Sequence, residues 1–163
     1  MGKEIERKFL LRDDSWKKDP RLGAPLYCSQ AYFALQEPEK GCVRLRIMGE
    51  KAFLTIKGPT CGFSRQEFEY EIPLKDAEEM MKLPSISSRL EKRRYWVKMG
   101  EFTWEIDEFL GENAPLLLAE VELPSEETDF PLPSFIGEEV TGDKRYYNGY
   151  LSRHPYGLWK EEK

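Results

Sequence analysis

Charged side chains return at every second position along much of this 163-residue chain. Glu4, Glu6 and Lys8 open the pattern. It continues in Arg44 and Arg46, Thr55 and Lys57, the run Arg65, Glu67, Glu69 and Glu71, then Lys92 and Arg94, Glu105 and Asp107, and Glu120 and Glu122. A β-strand sends alternate residues to opposite faces, so each set lies on one face of its strand. The residue types fit one chemistry. Carboxylates are hard oxygen donors that select Mg²⁺ or Mn²⁺, and Mg²⁺ commonly joins one or two carboxylates to substrate phosphates. Arginine forks match phosphate oxygens, and lysines act as point charges. Bases that grip a polyanion and acids that grip a divalent cation are therefore both present.

The opposite faces are apolar: Ile5, Phe9 and Leu11; Val43, Leu45 and Ile47; Leu54 and Ile56; Phe68, Tyr70 and Ile72. An ordinary sheet would bury these residues and leave the charges in water. The rival arrangement is a barrel with a charged lumen and an outside packed under helices and loops. The charged faces hold nine acids against seven bases. Such near balance is what a confined interior requires, because each unpaired buried ion costs on the order of several kcal/mol.

Eight strands are predicted to position these residues, over 3–11, 26–36, 43–48, 52–57, 64–72, 90–98, 101–109 and 116–123. Turns about Gly49-Glu50-Lys51 and Met99-Gly100 read as hairpins. Residues 75–83 have the spacing of a short amphipathic helix. Residues 143–151 read as a capped helix, with Asp143 near its start, placed to cover one barrel end. Short connections favour antiparallel neighbours. The expected fold class is mainly β: an eight-stranded antiparallel barrel forming a charged tunnel in a single domain over 1–163, with helices outside and at one end.

Composition narrows the function. Apolar residues at 40% and charged residues at 34% are those of a globular chain, and a net charge of −5 argues against a nucleic-acid or anionic-membrane surface. No apolar run has the length of a membrane span and Met1-Gly2-Lys3-Glu4 lacks a signal-peptide pattern, so a cytoplasmic protein is expected. Cys28, Cys42 and Cys61 show neither a disulfide framework nor a thiolate metal motif. His154 is the single histidine, which excludes a histidine-rich zinc centre and reads as structural or exposed. Ile56-Lys57-Gly58-Pro59-Thr60 lacks the upstream glycines of a phosphate-binding loop, so side chains must hold any phosphate. Trp16, Trp96, Trp104 and Trp159 are scattered, which favours packing over base stacking. Tyr32 shares a face with Gln30 and reads equally as a ligand contact and as a satisfied wall hydroxyl.

The sequence resembles the CYTH family, also called triphosphate tunnel metalloenzymes. Glu4-Ile5-Glu6-Arg7-Lys8 matches its ExExK signature, and the likeness continues through Val43-Arg44-Leu45-Arg46, Leu54-Thr55-Ile56-Lys57-Gly58, residues 64–72, Glu91-Lys92-Arg93-Arg94-Tyr95, Glu105-Ile106-Asp107, Glu120-Val121-Glu122 and residues 140–146. The resemblance implies a tunnel that holds a triphosphate along a basic wall with divalent metal on acidic strand residues. It implies metal ligation by Glu4, Glu6 and Glu122, supported by Glu120, Glu69 and Asp107. It also implies phosphate contact by Lys8, Arg44, Arg46, Lys57, Lys92 and Arg94, with Lys144 or Arg145 closing one end. Lys92, with Lys8, is the implied catalytic group, and for Lys92 water activation and simple electrostatic binding stay open. Glu67 and Glu71 read as partners of neighbouring bases.

Family membership leaves several reactions open: hydrolysis of inorganic tripolyphosphate, which the chain most resembles, adenylyl cyclisation of ATP, thiamine triphosphate hydrolysis, or polyphosphate binding without turnover. The implied partner is a small triphosphate, with neither nucleic acid nor membrane, and a homodimer is among the open oligomeric states.

Overall fold

The computed structural model describes residues 2–34, 40–87 and 89–161, the last two by their backbone alone. Among the described residues nine strands form: β1 (Gly2–Leu11), β2 (Leu26–Tyr32), β3 (Cys42–Met48), β4 (Lys51–Lys57), β5 (Ser64–Ile72), β6 (Leu90–Met99), β7 (Phe102–Phe109), β8 (Leu117–Glu122) and β9 (Ile136–Glu139). Their boundaries follow the alternating pattern to within a residue or two. For β2, residues 35 and 36 of the expected span lie outside the described residues.

The sheet runs β5-β4-β3-β2-β6-β7-β8-β1, and a β5–β1 pairing closes it into an eight-stranded antiparallel barrel. Closure works because β1 divides its length between neighbours. Gly2–Ile5 pair with β5, while Glu6–Leu10 pair with β8. The ninth strand, absent from the sequence reading, continues beside β1 with Phe9 opposite Glu139 and Leu11 opposite Ile136. Ile136-Gly137-Glu138-Glu139 is too short to show a period, which is why it went unread.

The two meanders β3-β4-β5 and β6-β7-β8 are local, as expected, but β2 pairs with β6 and β1 finds both barrel neighbours far along the chain. Two-residue turns make the tight hairpins. Gly49 and Gly100 stand first in them with φ of +61° and +64°, and among the described residues only glycines have positive φ. Glycine at that place suits a turn whose twist matches the paired strands.

Two apolar layers wrap the outside. Ile5, Phe9, Val97, Trp104, Ile106, Ala119 and Val121 pack beneath Trp16 and Phe135, with Phe130 beside them. On the other flank Ala31, Leu45 and Ala52 lie under Ala77 and Met81, where α1 (Leu74–Met80) crosses the strands. The cover is incomplete, since Ile56, Phe68 and Tyr70 remain exposed on the outer face of β4 and β5. Trp16, Trp104 and Trp159 are buried in packing roles. No helix among the described residues is long and apolar enough to cross a membrane.

The tail departs from a single helix over 143–151. Asp143 caps a 3₁₀ turn at Lys144–Tyr146 by accepting the Arg145 N–H, and Tyr147 is extended before α2 (Asn148–Leu151) and a final 3₁₀ segment at Tyr156–Glu161. Leu90, Phe109 and Leu118 share the inward face with Lys92, Asp107 and Glu120, yet cluster with Val140, Leu151 and Trp159. The lumen thus turns from charged to apolar at one end, and the tail plugs it there.

Candidate active site

The inward faces enclose a cavity of about 640 Å³. Strand residues Glu4, Glu6, Lys8, Arg44, Arg46, Lys57, Arg65, Glu67, Glu69, Lys92, Arg94, Glu105, Glu120 and Glu122 line it, and Thr141, Lys144, Tyr147, Asn148, Arg153 and His154 complete it from the tail. Alternation alone brings the strand residues together, because a closed barrel has one interior and every strand contributes the same parity.

On the β6–β7 wall the charges are locked to one another. Lys92, 1% exposed, donates from Nζ to Asp107 Oδ2 at 2.8 Å and to Asn148 Oδ1 at 2.8 Å. Arg94 donates Nε to Asp107 Oδ1 at 2.8 Å, Nη2 to Asp107 Oδ2 at 2.9 Å and Nη1 to Glu105 Oε2 at 2.9 Å. Burial pushes Asp107 up, but the charges of Arg94 and Lys92 outweigh it and hold the carboxyl well below its ordinary range. Burial pushes Lys92 down despite Asp107. In Arg94 burial acts the same way, and the charges of Asp107 and Glu105 overcome it and raise the guanidinium. Asp107, read from the resemblance as a supporting metal ligand, stands behind the cavity lining with both oxygens taken by cations, the geometry of a brace between Lys92 and Arg94.

The β3–β5 wall is looser. Arg44 and Arg46 reach one oxygen of Glu69 at 3.3 and 3.2 Å, and Thr55 donates to the same oxygen at 2.9 Å. Both Nε atoms are buried without a hydrogen-bond partner among the described residues. Burial, with the neighbouring charges of Arg44 and Arg94, brings Arg46 down to about 10. Lys57 sits 3.3 Å from Glu67 and 3.6 Å from Glu4, and burial beside Arg44 lowers it to about 8. Glu67 thus has a base as its partner. Glu71 meets Lys51 at 3.5 Å outside the cavity lining.

Between these walls, β1 and β8 set Glu6 opposite Glu122 and Lys8 opposite Glu120. Lys8 Nζ lies 3.7 Å from Glu120 and donates to the Tyr146 carbonyl at 3.1 Å. Burial raises Glu120, and the adjacent Glu6 carboxylate raises it further. Two abutting carboxylates in a buried site form a hard-oxygen donor pair whose repulsion a divalent cation would relieve. Among the described residues no three Asp, Glu, His or Cys side chains converge as a complete metal cage. The donor set fits Mg²⁺ or Mn²⁺ held by few protein ligands, with phosphate and water supplying the rest.

Of the basic pair expected to close one end, Lys144 lines the cavity, whereas Arg145 lies outside the lining, exposed and bonded to Asp143 at 2.7 Å. Tyr32 lines the cavity, its hydroxyl accepting from Gln30 Nε2 at 2.7 Å and pushed by burial up to about 12. His154 lines the cavity but stacks on Tyr150 with ring centroids 4.2 Å apart. Asn148 was missed, because a short tail helix carries no two-residue rhythm.

The sequence matches the CYTH domain family over residues 2–147. It is 44% identical over 161 residues to an inorganic triphosphatase of Acetivibrio thermocellus, covering 99% of this chain and 100% of that protein. An inorganic triphosphatase of Nitrosomonas europaea is 41% identical over 154 residues, covering 91% and 96%. A crystal structure of an inorganic triphosphatase superposes with a TM-score of 0.64 at 36% identity, covering 91% of this chain and 93% of that one. A Bacillus halodurans protein of known structure shares the fold at 19% identity and a TM-score of 0.60, covering 78% of this chain and 84% of that one. With the signature residues gathered on one lumen and the match spanning nearly its whole length, the chain belongs to the CYTH domain family.

Proposed function

We propose that this chain is a metal-dependent inorganic triphosphatase that hydrolyses the terminal phosphoanhydride of tripolyphosphate or a closely related triphosphate. The observation that carries the reading is the β3–β5 wall, where two buried guanidinium groups keep Nε donors without partners among the described residues, inside the lumen. Phosphate oxygens supply the missing acceptors, and a linear polyanion fits a tunnel lined by cations. The relatives named inorganic triphosphatase support the same reaction.

Arg44 and Arg46 hold the phosphate chain in line, with Lys8, Lys57 and the braced Arg94 adding charge and Lys144 guarding the tail side. Glu6 and Glu120, with Glu4 and Glu122 beside them, would hold Mg²⁺ or Mn²⁺, while Glu69 stays paired with Arg44 and Arg46. When bound, the ion neutralises charge on the phosphoryl oxygens. Lys92 orients the attack: water forms the new bond to the terminal phosphorus, the bridging P–O bond breaks, and pyrophosphate and orthophosphate leave.

A panel of tripolyphosphate, ATP, thiamine triphosphate and pyrophosphate, each with Mg²⁺, Mn²⁺ or chelator, tests the reading. Metal-dependent orthophosphate release with the highest kcat/KM on tripolyphosphate is expected. Cyclic AMP and pyrophosphate as the main products from ATP would replace it with cyclisation, and binding of tripolyphosphate without turnover would replace it with a binding role.

A further inference from the structure

Lys92 carries three N–H donors, and two of them have fixed destinations, Asp107 Oδ2 and Asn148 Oδ1. Each acceptor is itself held. Arg94 grips both oxygens of Asp107, and Gln30 Nε2 donates at 3.2 Å to the same Asn148 oxygen, with Gln30 in turn bonded to Tyr32. The Phe109 ring lies 5.6 Å from Nζ. A tetrahedral ammonium with two N–H directions set has its third direction set as well, and Lys92 lines the cavity. Half of this alignment comes from the barrel wall and half from the tail.

We propose that Asn148 is a positioning residue, which fixes the Lys92 ammonium so that its remaining N–H points at the reacting end of the phosphate chain. Seating of the tail plug and alignment of Lys92 are then one event. The inference rests on the triphosphatase reading. It adds that a residue outside the strands, with no charge of its own, sets the chemical rate. Loss of the Asn148 oxygen leaves a buried ammonium free to turn toward Asp107, and misalignment of that kind lowers kcat more than it raises KM.

The test uses the full chain and tripolyphosphate hydrolysis with Mg²⁺. Asn148→Ala and Asn148→Leu are expected to lower kcat by about tenfold or more with KM within about threefold. Asn148→Asp, which keeps an oxygen acceptor for Lys92, should stay within about threefold of wild type in kcat. In a Lys92→Met background, Asn148→Ala should cost nothing further, because Asn148 acts through Lys92. Gln30→Leu supplies a second route to the same defect, smaller in size, should the Asn148 variants fail to fold. Wild-type kcat in Asn148→Ala, an Asp variant as impaired as the Leu variant, or a full additional loss in the Lys92→Met background would overturn the assignment. A wild-type protein without tripolyphosphatase activity would instead overturn the reading on which it rests.

Discussion

On the β6–β7 wall, Asp107 accepts three N–H bonds at 2.8 to 2.9 Å from Lys92 and Arg94, and Glu105 takes another from Arg94. On the β3–β5 wall, Arg44 and Arg46 share a single Glu69 oxygen at 3.2 to 3.3 Å, and their Nε donors are unsatisfied among the described residues. The same residue types therefore do different work on facing sides of one cavity. Asp107 has a side chain 2% exposed while that of Glu69 is 32% exposed, so the first pair acts in a low-dielectric interior and the second is partly screened. Charge density does not distinguish a receptor from a brace. Unsatisfied donors do, because they carry a desolvation cost that an incoming anion relieves.

The largest effect should follow from emptying the looser wall. Replacing Arg44 and Arg46 together by Ala removes two charge-assisted contacts worth about 1.5 to 3 kcal/mol each, so kcat/KM on tripolyphosphate should fall by roughly 10² to 10⁴. The thermal midpoint should hold or rise, since two mutually repelling buried cations are gone. Steady-state kinetics beside a melting curve check both halves. Collapse of the fold in place of the activity would make this wall a brace as well.

The locked wall should answer the other way. Asp107→Asn strands Lys92 and Arg94 without their counter-charge, and breaking a buried pair costs about 3 to 5 kcal/mol. For a chain of this size that lowers the melting midpoint by about 6 to 20 °C. The sign with pH follows from the depressed carboxyl. Its stabilisation is present above the ordinary Asp value of 3.8 and is lost as pH falls below it toward the folded value. Urea midpoints at pH 7 and pH 3 should therefore show wild type and variant far apart at neutrality and closer in acid. A constant gap would remove the electrostatic account of the brace.

Much of this contrast was legible in the sequence, and its limits have physical causes. Two-residue alternation placed Glu4, Glu6, Lys8, Arg44, Arg46, Lys92 and Arg94 on the lumen, because parity depends only on strand geometry and barrel closure. Parity could not tell Asp107 from Glu105, since both face inward and only the cross-strand register puts Arg94 opposite Asp107. Register also arises from long-range pairings, such as β2 with β6, that local patterns do not encode. Lys144 and Arg145 stayed open for a related reason: a basic pair in a tail has no strand to orient it, and the two-residue reach of Arg145 to Asp143 sets its place. β9 and Asn148 left no periodic trace at all, the one for want of length and the other because α2 is a single turn.

The smallest effect sharpens the looser wall. Glu69 is held below its ordinary value: burial opposes this, and the Thr55 hydrogen bond with the charges of Arg46 and Arg44 prevails. Its carboxylate occupies arginine donors that a phosphate would use, so Glu69→Gln should lower KM for tripolyphosphate by about two- to threefold with little change in stability, as expected for a partly exposed pair. A metal-ligand role predicts a different outcome, a higher Mg²⁺ requirement with KM unchanged or raised at saturating metal. Metal titrations of kcat and KM therefore separate a placeholder from a ligand. Glu71 supplies the control, since it shares the strand parity of Glu69 but is 58% exposed against Lys51. Glu71→Gln should leave KM, kcat and metal requirement unchanged, and a Glu71 effect as large as that of Glu69 would show that field strength across the sheet, and not occupancy of the arginine donors, governs binding on this wall.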